Sequence, residues 1–349
     1  MVGKSSEIRK LVKPCASRIG IDDALRRLYV EASMLGERLK FGLTERPKPS
    51  STIVLAGSGR GGTTWLMNVL ATAPGVQPIF EPLFPPWSRE VRRLAGWDAA
   101  DPYIRAAYLR PGGDYPEWHE FLYRVLTGRI RNYWTDYDRT SFFPARFLVK
   151  EVRANLMLGY IHDAFASAIV YLVRHPCAVI RSRLSAPKPW HADVRDLLRQ
   201  EELVEDYLRP WLTDIERETT PIGVHAVWWA VENLVASREL SNRSHFFVTY
   251  ESLCLKPERV VRDIMNWLHV NEKPSRLHAA LTEPSRMTDR DVDVSVTARL
   301  SAWKHQLPEE AQGHILGWAR KLGVAFYDEE ILPIARQSDP SARLEIRGG

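Results

Sequence analysis

Three short stretches of the sequence carry residue types that could grip an anion or move a proton. They are Gly57-Ser58-Gly59-Arg60-Gly61-Gly62-Thr63-Thr64-Trp65, the pair Arg174 and Ser182, and Phe80-Glu81-Pro82-Leu83-Phe84. The first lies between an apolar run, Thr52 to Ala56, and a helical pattern from about Thr63 to Ala73. A strand, glycine loop and helix in that order cradle phosphate: glycines admit close approach, consecutive N–H groups converge on oxygens, and the helix N-terminus adds partial positive charge. Gly57 and Gly62 stand at the two glycine positions of a G-x-x-x-x-G-K-[ST] loop and Thr64 at its hydroxyl position, but Thr63 stands where the lysine would be. Without that lysine a nucleoside-triphosphatase site lacks a principal charge. Arg60 can supply positive charge from another direction.

Arg174 closes the run Ile169 to Val173 (IVYLV), and Ser182 lies two turns along the helix that His175-Pro176 opens. The carboxyl end of a parallel strand is where α/β folds bind ligands. A guanidinium fork with a hydroxyl suits one further phosphate. Taken alone, an arginine at a strand end is usually a surface ion pair.

The elements that must position these residues follow from the pattern of short apolar runs alternating with helical ones. Strands are expected at Thr52–Ala56, Phe147–Val149, Ile169–Val173 and Phe246–Thr249. Helices follow the first near Thr63–Ala73, the second through Leu156, Ile161 and Phe165, the third from Cys177 to Leu184, and the fourth through Val260, Ile264, Trp267 and Leu268. The fold class is α/β: a doubly wound parallel β-sheet flanked by helices. Its domain spans 49–335, after an N-terminal helical extension (1–48) and before a tail (336–349). An aromatic-rich insert, about 85–144, is too long for a simple crossover. Its rings, among them Trp87, Trp97, Tyr103, Tyr108, Trp118, Tyr123, Trp134 and Tyr137, pack a helical subdomain or line an acceptor pocket. Ile21, Leu25, Leu28, Ala32, Leu35 and Leu39 recur at spacings of four and three. They predict a helix packed on the main domain through that stripe, with a homodimer contact or peripheral membrane contact as the sharper alternatives.

The 349 residues, 45% hydrophobic and 26% charged, are those of an ordinary globular protein, and the net charge of +5 suits an anionic ligand. No apolar run approaches the ~20 residues needed to cross a bilayer. The basic start Met1–Arg18 lacks the apolar stretch and cleavage site of a secretion signal. Three scattered cysteines give neither a disulfide framework nor a metal-ligand spacing, so a cytoplasmic location without a metal is expected. Nothing points to nucleic acid as a partner.

Together, the loop and the Arg174–Ser182 pair resemble the sulfotransferases that use 3′-phosphoadenosine 5′-phosphosulfate (PAPS). In that family a P-K-S-G-T-T-W-like loop binds the 5′-phosphosulfate, and an arginine with a serine two helical turns later binds the 3′-phosphate. In this chain the loop reads G-R-G-G-T-T-W, with Arg60 in the lysine position and Gly61 replacing serine. RHPCAVIRS, Arg174 through Ser182, keeps the family spacing. Val248-Thr249-Tyr250-Glu251-Ser252-Leu253 looks like the strand-end element whose tyrosine lies near the adenine. The resemblance runs from about Ser51 to Leu322 and implies a P-loop-like fold. It further implies that Arg60, Gly61, Gly62, Thr63, Thr64, Trp65, Arg174, Ser182 and Tyr250 bind the nucleotide. The family's late basic loop is not evident as R-K-G; Arg299 and Lys304 are candidates for it.

Sulfuryl transfer to an alcohol needs a base, in-line placement and positive charge on the leaving phosphate. Where cytosolic members of the family carry K-T-H, this chain reads Lys150-Glu151-Val152: the lysine is kept and the histidine is gone. Carbohydrate sulfotransferases of similar pattern carry an F-E-P-L-like segment, which makes Glu81 the expected base, with Glu151, His119 and His191 as fallbacks. A salt bridge to Arg60 or Arg153 is the plainer reading of Glu81. Lys150 and Arg60 would balance the charge on the transferred group and leaving phosphate. The expected activity is therefore O-sulfotransfer from PAPS to a hydroxyl of a small-molecule, glycan or lipid acceptor, releasing 3′-phosphoadenosine 5′-phosphate (PAP). The alternatives are a P-loop kinase using magnesium and ATP, or a noncatalytic nucleotide-binding protein.

Overall fold

The computed structural model describes residues 23–97, 104–136, 138, 144–187, 190–271, 278, 280–281 and 295–334. Five strands form one parallel sheet: β1 (Ile53–Gly57), β2 (Val76–Phe80), β3 (Arg146–Glu151), β4 (Ala168–Val173) and β5 (His245–Thr249), in the order β2-β3-β1-β4-β5. Central β1 pairs with β3 on one side and β4 on the other, so the strand order reverses at its carboxyl end. That crevice is where open α/β sheets bind ligands.

Each expected strand is present to within a residue or two of its expected bounds. The strand β2 is an addition, because Val76-Gln77-Pro78-Ile79-Phe80 contains a proline that argues against a central strand. At the edge of the sheet Pro78 is tolerated, paired in register with Leu148.

Both faces of the sheet are covered, as buried strands rich in Val, Ile and Leu require. On one face Ile53, Leu55, Leu148, Val170 and Leu172 pack with α1 (Thr63–Leu70) and α2 (Pro257–Trp267). On the other, Val54, Ala56, Val149 and Tyr171 meet α3 (Leu158–Phe165), α4 (Pro176–Leu184) and α5 (Pro221–Leu240). The α5 sequence is apolar almost all round, and the helix is correspondingly buried on nearly every side.

The N-terminal helix spans Asp23–Leu43, and its orientation departs from the one its sequence predicts. Leu35 and Leu39 of the expected inward stripe are 59% and 64% exposed, and Ala32 is exposed too. The buried face instead carries Val30, Ser33 and Glu37. Glu37 is held by Arg131 at 3.4 Å and Arg46 at 3.8 Å, so ion pairing to the insert sets the helix rotation against its apolar stripe. Ile21 and the 336–349 tail lie outside the described residues, as do Tyr103 and Tyr137 of the insert. Within the insert, Pro116–Leu126 is helical and buries Trp118, while Tyr108 packs in the core. Among the described residues no helix is long and apolar enough to cross a membrane.

Candidate active site at the carboxyl edge of the sheet

The glycine loop leaves β1 and turns back on itself, with the Gly61 N–H donating to the Ser58 carbonyl at 2.8 Å. Arg60 and Gly62 both adopt left-handed backbone, with φ of 73° and 99°. At Gly62 only glycine fits, because a Cβ would run into the Tyr250 ring. The first helical bond of α1 runs from Leu66 N to Gly62 O at 3.2 Å. The N–H groups of Thr63, Thr64 and Trp65 therefore precede the helical ladder and are free of intrahelical partners. Thr63 is buried, Thr64 half-buried, and Trp65 packs against the α1–α2 core.

Arg174 follows β4 and bends back over the loop. Its Nη1 donates to the Arg60 carbonyl at 3.0 Å, and its guanidinium lies 4.3 Å from the centre of the Tyr250 ring. Its Nε is buried with no hydrogen-bond partner among the described residues. From the other side, Arg60 Nε donates to Ser182 Oγ at 2.9 Å. Two motifs more than a hundred residues apart in sequence thus touch, and Tyr250, just after β5, closes the group. A half-buried guanidinium with one buried, unused donor, beside a helix N-terminus, can hold an anion.

The loop after β4 is fixed from behind by contacts that the sequence motifs do not reveal. Glu251 accepts from His175 N at 3.1 Å and from the Tyr327 hydroxyl at 2.6 Å. The His175 ring stacks on Trp303, centroids 4.1 Å apart, and burial pushes its pKa down to about 4, so it is a neutral packing group near pH 7. Trp303 lies on the helix Val296–Gln306 with Arg299 and Lys304. Arg299 is close enough to act electrostatically on Tyr250, and Lys304 on His175, which places both cations near the loop as long-range charges.

At the adjacent end of β2 and β3, Glu81 is clamped. Lys150 Nζ donates to one carboxylate oxygen and Arg153 Nη1 to the other at 3.1 Å. The pairing expected with Arg153 is present; the partner added by the structure is Lys150. Lys150 is buried opposite Leu55 and Phe80 in the sheet register, on the face that carries α1. The Glu81 backbone is left-handed (φ 40°), held by its N–H to Lys150 O at 2.8 Å and by Trp134 Nε1 to its own carbonyl at 3.3 Å. Such strain in a non-glycine residue clusters at functional sites. Burial opposes ionisation of Glu81, but the Lys150 and Arg153 cations outweigh it and hold the carboxyl below its usual range. Around it stand Phe80, Phe84 and Trp134, with Trp87 stacked on Trp134 at 6.1 Å and 9°.

The fallback bases fare differently. Glu151 points to the opposite face, where it accepts from the N–H groups of Leu83, Val152 and Arg153 at 2.7, 2.8 and 3.0 Å. Burial pushes its pKa up to about 7 despite Arg153. It is a structural carboxylate that shapes the turn. His119 stacks on Phe165, at the end of α3 that leads into the start of β4, and so lies toward the wrong edge of the sheet. His191 is exposed, next to Trp190, whose ring covers Gly59.

Among known proteins, a model of the sulfotransferase family matches residues 52–274, well over half the chain. No curated protein matches. Among solved structures, a sulfotransferase domain from the curacin biosynthetic pathway is 20% identical, covers 83% of this chain and 100% of its own, and has a TM-score of 0.42. A mouse sulfotransferase complexed with PAP is 12% identical over 78% of this chain and 88% of its own, with a TM-score of 0.39. Retinol dehydratase in complex with androsterone and inactive cofactor PAP is 14% identical over 82% and 85%, with a TM-score of 0.36.

Proposed function

The chain belongs to the sulfotransferase family, and from that premise we propose that it moves a sulfuryl group from PAPS to an alcohol and releases PAP. The observation that carries this reading is the convergence of Arg60, Ser182 and Arg174 through bonds of 2.9 and 3.0 Å. One anion site would suit any nucleotide. Two that abut, at a switch point, suit one phosphorylated at both ends.

In this reading the amides of Thr63, Thr64 and Trp65, with Gly61, Gly62 and the Arg60 side chain, hold the 5′-phosphosulfate. Arg174 and Ser182 hold the 3′-phosphate and Tyr250 lies against the base. The partnerless Arg174 Nε supports that fit, since a buried charged donor without an acceptor is costly and a phosphate oxygen would satisfy it. Glu81 receives the acceptor's hydroxyl proton as the acceptor oxygen bonds to sulfur and the bond from sulfur to the leaving phosphate oxygen breaks. Lys150 and Arg60 balance the charge left on that phosphate. The rings of Phe84, Trp87 and Trp134 beside Glu81 favour an acceptor with a sugar or flat apolar face.

The test is thermal protection by PAP and by AMP at equal concentration. PAP should raise the midpoint far more than AMP. Equal protection by both, or magnesium-dependent ATP turnover, would contradict the proposal and favour a phosphotransferase.

A further inference from the structure

Below the glycine loop, on the side away from Tyr250, lies a charged cluster with almost no exposure. Arg183, the residue after Ser182, is 0% exposed and Glu232 of α5 is 1% exposed. Arg183 Nε donates to the Gly59 carbonyl at 3.1 Å and its Nη2 to Glu232 Oε2 at 3.2 Å. The same Glu232 oxygen accepts from Ser58 Oγ at 2.7 Å. Asn233 Nδ2 reaches Ser58 Oγ at 3.3 Å, and its Oδ1 accepts from the Tyr171 hydroxyl of β4 at 2.5 Å. Above the cluster the Trp190 ring lies on Gly59, where a Cβ would overlap it, and the Arg183 guanidinium is 5.8 Å from that ring.

A buried ion pair is a poor way to gain stability: desolvating both ions costs as much as their attraction returns, and apolar residues of equal volume often do better. What the pair does supply here is position. Its guanidinium sits on α4, one residue from Ser182, and bonds the carbonyl one residue before Arg60. It therefore ties the helix carrying the 3′ anion site to the loop carrying the 5′ site, while touching neither anion position itself.

We propose that the Arg183–Glu232 pair is a positioning device that fixes the spacing between the two anion sites, and so makes the pocket selective for a nucleotide phosphorylated at both 3′ and 5′ ends. This rests on the donor reading of the previous subsection and adds the residues that enforce it. Each half-site keeps its own donors when the pair is removed; the distance between them is then held only by the Arg60–Ser182 and Arg174–Arg60 bonds and loosens.

The experiment is calorimetric titration of PAP, 5′-AMP and 3′-AMP into wild type and into Arg183→Met/Glu232→Gln. That double change removes both charges at similar volume and leaves no lone buried ion. PAP affinity should fall about tenfold or more, the loss of one charge-assisted phosphate bond, while either monophosphate stays within about threefold. A purely structural role would weaken all three ligands together, and that result, or an unchanged PAP preference, overturns the proposal. If wild type itself bound PAP no tighter than 5′-AMP, the donor reading would fail first, which keeps the two failures apart. Should the double variant not fold, Ser58→Ala cuts the loop from Glu232 with Arg183 still paired. The PAP-to-AMP ratio should then shrink about threefold, less than the worth of a full charged bond, and an unchanged ratio overturns the proposal.

Discussion

Arg174→Lys keeps the positive charge beside the loop and removes the fork. In the folded chain Arg174 already spends Nη1 on the Arg60 carbonyl at 3.0 Å and lies over Tyr250, with Nε buried and unused. A lysine ammonium at the end of a flexible stem cannot hold the Arg60 carbonyl and a phosphate in parallel. One charge-assisted bond to phosphate should be lost, about 1.5–3 kcal/mol, which weakens PAP binding roughly 10- to 150-fold. The lost bond to Arg60 adds a stability cost of about 1 kcal/mol, or a few degrees at most in the melting midpoint. Isothermal titration with PAP and AMP separates the two effects, since AMP has no 3′-phosphate to lose. PAP binding as tight as wild type would rule out Arg174 as a 3′-phosphate ligand, as would an equal loss for AMP.

Glu81→Gln should leave PAP affinity nearly intact and lower kcat by about 10²–10⁴, the usual worth of a positioned base. Its midpoint should also fall, because Lys150 and Arg153 lose a buried counter-ion. Since those cations hold the Glu81 carboxyl below its ordinary range, the acid limb of kcat/KM should lie below about pH 4.5; a limb near 7 would point instead to Glu151. Gly62→Ala forces a Cβ into Tyr250 at a left-handed φ and should cost about 1–3 kcal/mol in denaturant unfolding, with nucleotide protection lost; a variant as stable as wild type would contradict the loop geometry. Glu239 accepts from Gly159 N at 2.8 Å while its other oxygen is buried without a partner among the described residues, and burial pushes its pKa up to about 8. Between about pH 4.5 and 8 the folded chain keeps a proton that the unfolded chain has released, so this group's contribution to stability is lost as pH rises. Glu239→Gln should flatten that decline of the midpoint between about pH 4.5 and 8, and an unchanged slope would count against it.

What could be read from the sequence was local. The TIVLA strand running into a glycine loop, and IVYLV running into Arg174, each write their geometry within a dozen consecutive residues, and the structure brings both to one edge. Glu81 and Lys150 were nameable only through the family resemblance, the one in an F-E-P-L-like segment and the other at the place of the K-T-H lysine. The residues that hold these in place were not. Glu232 lies 49 residues from Arg183 and 174 from Ser58, inside a helix whose even apolar coating gives no hint of a charged inner contact. Glu251 was visible only as part of a strand-end motif, and its grip on His175 and Tyr327 depends on a C-terminal segment packing under β4. The N-terminal helix misled for the opposite reason. Its apolar stripe was regular, but Glu37 found Arg131 and Arg46 and turned the stripe outward.

The most direct measurement is mass spectrometry of an alcohol library, sugars, sterols and phenols included, incubated with the protein and PAPS. At least one acceptor should gain a single sulfonate while an equal amount of PAP appears, and the gain should vanish in Glu81→Gln. PAP binding without sulfonate transfer to any member, or transfer that persists undiminished in Glu81→Gln, would contradict that expectation.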